Sequence, residues 1–107
     1  MADAIAPEKT VATKPLVDEK RLVFALGNYC RWKMLRELAG GETRTTRELA
    51  AAGRCSYDAA LKHLKLLRAT GLVEQGRGSL YQMPVHFLTV PGQPDFGHCL
   101  LRFNVVK

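Results

Sequence analysis

Three basic side chains recur at helical spacing in the middle of the chain. Lys62, Lys65 and Arg68 fall on one side of a helix that turns about 100° per residue, and Asp58 and Leu61 share that side. Lys62 can reach guanine O6 and N7 or a phosphate, an aspartate can accept from a cytosine amino group, and a leucine can contact a thymine methyl. Lys65 and Arg68 lie further along and would meet phosphates. This is the chemistry of contact with a nucleic acid, and the plain alternative is a solvated charged face with Leu61 buried by a partner.

The other candidate contact residues surround this helix in the sequence. Thr46 and Arg47 open a preceding helix, whose first amides could bind a phosphate or simply be capped by the hydroxyls. Arg77 stands between two glycines that would let the backbone approach a minor groove or a phosphate, or it is an ordinary exposed turn residue. The complete predicted contact set is Thr46, Arg47, Arg54, Ser56, Tyr57, Asp58, Leu61, Lys62, Lys65, Arg68 and Arg77.

We find no residue set whose spacing supports catalysis or metal binding. The sequence has no glycine-rich phosphate loop and no HExxH motif, and its three cysteines, Cys30, Cys55 and Cys99, are scattered without a CxxC. We therefore expect no enzyme, no cofactor and no metal, and His98 with Cys99 is too small a group for a metal site. An odd number of separated cysteines argues against a disulfide framework. Cys55, just before a helix, is either an inert turn residue or a thiol of lowered pKa that acts as a redox switch.

The charge balance favours a polyanionic partner. The 107 residues contain 16 Lys and Arg against 10 Asp and Glu, a net charge of +6, and the length suits one domain. No stretch is apolar enough for a membrane span or a secretory signal, so we expect a cytoplasmic protein. The segment 28–82 carries ten basic residues against five acidic ones; the basic ones are Arg31, Lys33, Arg36, Arg44, Arg47, Arg54, Lys62, Lys65, Arg68 and Arg77.

Apolar spacing and capping residues predict four helices that position these side chains. Each begins near a polar cap or ends at a glycine. Thr45 or Thr46 caps the third helix, with Glu48 close to capping-box spacing, and Ser56 caps the fourth. His63 falls on the inner side of the fourth helix, where a structural histidine is expected. The predicted helices are about 16–26, 29–39, 47–52 and 57–69.

After the fourth helix the spacing of apolar residues changes from the helical period to the pattern of extended chain. Residues 72–75 and 79–83 flank Gly76-Arg77-Gly78 and predict a β-hairpin, while 42–44 form a short extended link. Beyond Pro84 we expect extended chain at 85–90 and a strand at 99–106. The fold class is thus mainly α with a small β-hairpin, a winged helix-turn-helix. The predicted division is a flexible tail at 1–15, the winged helix-turn-helix at 16–84 and a C-terminal extension at 85–107.

The segment 25–83 resembles the ArsR-like family of bacterial repressors. Residues 61–73, LKHLKLLRATGLV, are similar to the family's S-x-H-L-x-x-L-x-x-A-G-L-V segment, and Gly76-Arg77-Gly78 with Tyr81 is similar to its wing. Leu61 stands where the family usually has a small hydroxyl residue, and the family's paired thiols are missing from 48–52, so its metal response is not carried over. Further matches are Arg31, Met34, Leu35 and Leu38, then residues 46–50, and Ser56.

The resemblance and the charge pattern together predict a DNA-binding transcriptional regulator, a repressor. Helix 57–69 would enter the major groove, with Arg77 on the wing. We expect a homodimer, because a folded part this small gains stability by burying residues 16–26 against a second copy. The alternative is a winged-helix adaptor that binds protein through Tyr57 and Leu61. RNA binding is a weaker alternative, since few aromatic residues lie near the basic ones.

Overall fold

The computed structural model describes residues 17–103, so the predicted tail at 1–15 lies outside the described residues. Within them the chain is mixed α/β, with four α-helices beside a small three-stranded antiparallel sheet. The helices are α1 (Glu19–Leu26), α2 (Tyr29–Leu38), α3 (Thr46–Gly53) and α4 (Tyr57–Thr70). The strands are β1 (Arg44–Thr45), β2 (Glu74–Gln75) and β3 (Leu80–Gln82), and a 3₁₀ helix (Val85–Phe87) follows.

Short polar side chains fix where the helices begin. The Asn28 side chain accepts a hydrogen bond from the Arg31 amide at 3.0 Å, and the Ser56 hydroxyl accepts from the Ala59 amide at 3.1 Å. Each bond satisfies one of the first amides of a helix, which have no partner inside it. These caps are local in sequence, and α2 and α4 accordingly begin where the sequence predicts.

A complete capping box settles the two possibilities for α3. The Thr45 hydroxyl accepts from the Glu48 amide at 3.1 Å, and the Glu48 carboxylate accepts from the Thr45 amide at 2.8 Å. Thr45 is therefore the cap, and Thr46 is the first residue of the helix. Its side chain points inward and is only 1% exposed.

The predicted hairpin is present as part of a larger sheet. β2 pairs with β3, with Gln75 opposite Tyr81, and β1 pairs with the other edge of β3, with Arg44 opposite Tyr81. The strand order is thus β1-β3-β2. The sequence predicted β1 only as an extended link, because a two-residue strand has no alternation of its own and is defined by its distant partner.

One hydrophobic core joins the helices, the sheet and the C-terminal segment. Leu35 of α2, Leu49 of α3 and Leu64 of α4 are fully buried, and Tyr81 of β3 packs with them. Burial of such side chains is worth about 1.5–3 kcal/mol each and fixes how the helices pack. The arrangement is compatible with a winged helix-turn-helix.

The segment after Pro84 differs from the prediction. Residues 85–90 were expected to be extended, but Val85–Phe87 is a 3₁₀ helix that turns Phe87 inward, where its ring centroid lies 5.0 Å from that of Phe96. The strand expected at 99–106 is reduced, within the described residues, to a bridge between Asp95 and Leu100. Proline cannot donate a ladder hydrogen bond, so Pro94, whose carbonyl accepts from the Leu101 amide at 3.0 Å, cannot return a second bond that would extend this bridge into a regular strand.

Candidate nucleic-acid interface

A tight three-residue turn sets the angle between α3 and α4. The Arg54 amide donates to the Ala51 carbonyl at 3.2 Å and the Cys55 amide donates to the Ala50 carbonyl at 3.0 Å. This is a Schellman ending, whose central residue takes the left-handed conformation, and Arg54 has φ 56°. Glycine is the usual residue there, so Arg54 holds an exposed guanidinium at the turn at a conformational cost of about 1–2 kcal/mol.

The buried and the exposed residues of α4 lie on opposite sides of the helix, as the sequence predicts. Ala60, Leu64 and Leu67 are fully buried. On the opposite side, Tyr57 is 45% exposed and Leu61 is 38% exposed, although both are large and apolar. The outward side chains, all of them exposed, are Tyr57, Asp58, Leu61, Lys62, Lys65 and Arg68.

A contact between Arg47 and Tyr57 joins the first turns of α3 and α4. The Arg47 Cζ lies 5.6 Å from the centroid of the Tyr57 ring, within the range of a cation–π interaction. Both residues are exposed. This contact places a positive charge from α3 beside the outward face of α4.

Thr46 was predicted to contact DNA, but the structure does not place its side chain on the surface. Its side chain is buried, and its hydroxyl has no hydrogen-bond partner among residues 17–103. The carboxylate of Glu48 occupies the N-terminus of α3 and satisfies the Thr45 amide, so an incoming phosphate would meet a like charge there. Ser56, by contrast, stays exposed while it caps α4.

The hairpin tip is a fixed turn that presents Arg77. The Leu80 amide donates to the Arg77 carbonyl at 3.2 Å, and the Gly76 amide donates to the Leu80 carbonyl at 2.8 Å. Only Gly78 of the two flanking glycines takes a positive φ, at 60°. Arg77 is exposed.

A shallow groove of about 480 Å³ runs between α4 and β2. Lys65 and Arg68 line one side of it, and Glu74 and Gln75 line the other. The second half of α4 and the base of the hairpin therefore form one continuous surface.

Two of the basic residues in segment 28–82 are engaged in contacts within the protein, one of them buried and one near the surface. Arg31 is buried, and its Nε and Nη2 donate to the carbonyls of Ala25 and Phe24 at 3.1 and 3.0 Å. Arg44 pairs with Glu37 and Glu42, and hydrogen bonds to Glu37 and then Glu42 raise its pKa. The outward positive charge therefore comes from the other basic residues.

The thiol and histidine environments are also defined. Burial, followed by the influence of the nearby Cys30 thiol, raises the pKa of Cys55, so the possibility of a lowered Cys55 pKa is wrong. Burial and then the charge of Arg31 lower the pKa of His63.

Across residues 17–103 no group of three or more His, Cys, Asp or Glu side chains could hold a metal ion. In the same part of the chain, no helix has the length and apolarity of a membrane span.

Comparisons with protein-family models, with curated proteins and with solved structures found no match to this chain. What the surface can do therefore follows from its geometry and charge. Apart from Thr46, the predicted contact residues are all exposed and lie on α3, the turn, α4 or the hairpin tip.

Proposed function

We propose that this protein is a winged helix-turn-helix regulator, an ArsR-like repressor, that binds duplex DNA. The observation that carries the proposal is the outward face of α4, where every side chain that could read a base edge is exposed. The opposite side of the same helix is locked in the core through Leu64 and Leu67. A recognition helix needs this combination, because it must be held rigidly while one face stays open.

The dimensions of α4 suit a major groove. An α-helix with its side chains is about 10–12 Å across and the groove is about 12 Å wide. Lys62 would donate to guanine or to a phosphate, Asp58 would accept from a cytosine amino group, and Leu61 would contact a thymine methyl. These three residues are exposed in the first half of the helix, the half that enters the groove in proteins of this class.

The charges around α4 suit the flanking phosphates. The exposed contact residues include six basic side chains and one acidic side chain, Asp58. Phosphate contacts supply most of the affinity of such proteins and hold the helix in register. The basic residues that would make these contacts are Arg47, Arg54, Lys65, Arg68 and Arg77, together with Lys62.

Salt dependence tests the proposal directly. Binding to a labelled mixed-sequence duplex would be followed by fluorescence anisotropy between 50 and 200 mM NaCl, for the wild type and a Lys62→Ala, Arg77→Ala double variant. Each lost phosphate contact lowers the slope of log K against log salt by about 0.9. We expect the double variant to lower the slope by about one if Lys62 contacts a base, and by about two if Lys62 contacts a phosphate.

A charge-matched control separates this surface from net charge. Arg36→Ala with Arg102→Ala removes the same charge from two exposed positions outside α1, α3, α4 and the hairpin. The control should keep the wild-type slope. Absence of binding at the lowest salt, or equal loss of slope in both variants, would contradict the proposal.

The exposed apolar residues on α4 favour one alternative, a protein-binding adaptor. Tyr57 and Leu61 present apolar area in the middle of the candidate surface, as interface residues do. An adaptor would show no steep salt dependence with DNA, and Leu61→Lys would abolish partner binding. The anisotropy series therefore separates the two functions.

A second copy of the chain is part of the proposed function. Val23 and Phe24 on α1 are 65% and 59% exposed, so α1 presents an apolar surface that the described part of the chain leaves uncovered. A two-fold dimer would bury this surface and match a two-fold DNA site.

A further inference from the structure

Two exposed side chains from different helices, Arg47 and Tyr57, contact each other where α3 meets α4. Arg47 is the second residue of α3 and Tyr57 is the first residue of α4. The Arg47 Cζ lies 5.6 Å from the centroid of the Tyr57 ring. The backbone on both sides is held in place, because the Thr45 and Ser56 caps fix the first turns of the two helices. The contact therefore forms without a ligand.

The Arg47 guanidinium keeps its hydrogen-bond donors available in this contact. Within residues 17–103 no carboxylate or carbonyl accepts from its side chain. The neighbouring Glu48 carboxylate accepts instead from the Thr45 amide at 2.8 Å. The ring attracts the positive charge, and a guanidinium carries five N–H donors in a planar fork that matches a phosphate. The pair thus presents a restrained positive charge whose donors no described residue occupies.

Restraining Arg47 favours the binding of a phosphate. A long side chain that moves freely in solution loses rotamer freedom when it binds a ligand, and this loss lowers the affinity. A side chain that an aromatic ring already restrains loses less of this freedom. Tyr57 can therefore raise the affinity for a phosphate without contacting it. This role would account for a large ring that is 45% exposed among basic residues.

We propose that Tyr57 is a positioning residue that holds the Arg47 guanidinium for contact with a backbone phosphate beside the start of α4. The inference rests on the proposed function and deepens it, since it assigns the exposed ring to DNA binding and not to a protein partner. Tyr57→Leu keeps apolar bulk but removes the ring. Because an exposed cation–π contact is worth about two- to fivefold in an equilibrium constant, this variant should weaken duplex binding by that factor.

The salt dependence of binding is a readout that a structural or apolar role of Tyr57 would not change. Tyr57 is uncharged, so replacing it lowers the slope of log K against log salt only if a cation is displaced from a phosphate. We expect Arg47→Ala to lower the slope by about 0.9 and Tyr57→Leu to lower it by part of that amount. Tyr57→Leu should have no further effect in the Arg47→Ala background, and Tyr57→Phe, which keeps the ring, should keep the wild-type slope.

A second tyrosine provides a matched control. The Lys33 Nζ lies 5.0 Å from the centroid of the Tyr29 ring, on α2 and outside α3, α4 and the hairpin. Tyr29 is 69% exposed. Tyr29→Leu removes the same kind of contact and should keep the wild-type slope. Circular dichroism and urea unfolding check that each variant is folded.

The contact can also be observed without DNA. Nuclear Overhauser effects between the Arg47 side-chain protons and the Tyr57 ring protons are expected in the free protein. Their absence, a wild-type slope in Tyr57→Leu, or an equal loss of affinity from Tyr57→Leu with and without Arg47 would overturn the positioning role and leave the proposed function intact. Failure of the wild type to bind the duplex at the lowest salt would overturn the proposed function itself, and this inference with it.

Discussion

At the scale of single residues, Arg31 shows a basic side chain with a structural role. It donates to the Phe24 and Ala25 carbonyls near the end of α1, where a helix carries partial negative charge. Its Nη1 also lies 3.3 Å from His63 Nδ1 on α4. Because a guanidinium only donates, His63 must be neutral at Nδ1 to accept this bond. Arg31 therefore links α1 to α4 only while His63 is uncharged.

This arrangement predicts a specific dependence of stability on pH. Burial first, and the Arg31 charge second, lower the pKa of His63 in the folded state, while an unfolded histidine has a pKa of about 6.5. The unfolded state then binds more protons as the pH falls below that value. The contribution of His63 to the free energy of unfolding should be level above neutral pH and should fall as the pH drops from 6.5 through the lower folded pKa.

Urea unfolding at pH 7.5, 6.5 and 5.5 measures this effect. The wild type should lose more stability on acidification than His63→Gln, which retains an oxygen that can accept from Arg31 but does not titrate. Parallel losses in the two proteins would contradict the role of His63.

Two neighbouring threonines should respond in opposite ways to the same substitution. Thr45→Val removes the cap of α3 and should cost about 1 kcal/mol. Thr46→Val replaces a buried hydroxyl that has no partner within residues 17–103, so it should be neutral or should stabilise by about 1 kcal/mol. Urea midpoints with unchanged m-values provide the measurement. A loss at Thr46 as large as that at Thr45 would show that the Thr46 hydroxyl is satisfied.

At the scale of elements, what the sequence predicts depends on how local the cause is. The starts of α2 and α4 follow from caps three residues from their partners, and the hairpin follows from its turn. β1 was missed as a strand because its partner, β3, lies far along the chain. The inward side chain of Thr46 was missed because adjacent hydroxyl residues look equivalent until one of them is chosen as the cap.

The turn between α3 and α4 provides a prediction that separates stability from binding. Arg54→Gly relieves a left-handed conformation and should stabilise the fold by about 0.5–1 kcal/mol, after the entropy cost of glycine. Under the proposed function it should also weaken DNA binding. Arg54→Ala is the matched variant, since it loses the charge and keeps the strained conformation. Thermal unfolding and anisotropy should show stabilisation in the glycine variant alone and weaker binding in both.

At the scale of the whole molecule, the predicted boundary at Pro84 does not end the hydrophobic core. Phe87, Phe96 and Phe103 all pack into the cluster that contains Leu35 and Leu64. No pattern in 85–103 predicts this, because aromatic side chains in an irregular segment have no periodicity to place them on a face. The sequence predicts the helices and the hairpin, but it does not predict that the segment after Pro84 packs against them and completes the core.

The proposed dimer is tested by changing the exposed face of α1. Val23→Glu places a charge in this apolar surface and should shift a dimer toward monomer in sedimentation velocity. Val85→Glu is the control, because Val85 is 74% exposed and lies on a different element. An unchanged sedimentation coefficient in Val23→Glu, or an equal shift in both variants, would remove α1 from the interface.

The irregular C-terminal segment has a consequence for how long the protein survives in a cell. Two contacts hold it against α2. The Gly92 amide donates to the carbonyl of Ala39, the residue that follows α2, at 2.8 Å, and the centroid of the Phe103 ring lies 4.9 Å from that of Trp32. Segments with few regular hydrogen bonds open at a lower free energy than packed helices. Each opening offers a protease an extended chain and uncovers the core side of α2. Turnover should thus follow the local stability of this segment, and under the proposed function this would allow the regulator to be removed quickly once its synthesis stops.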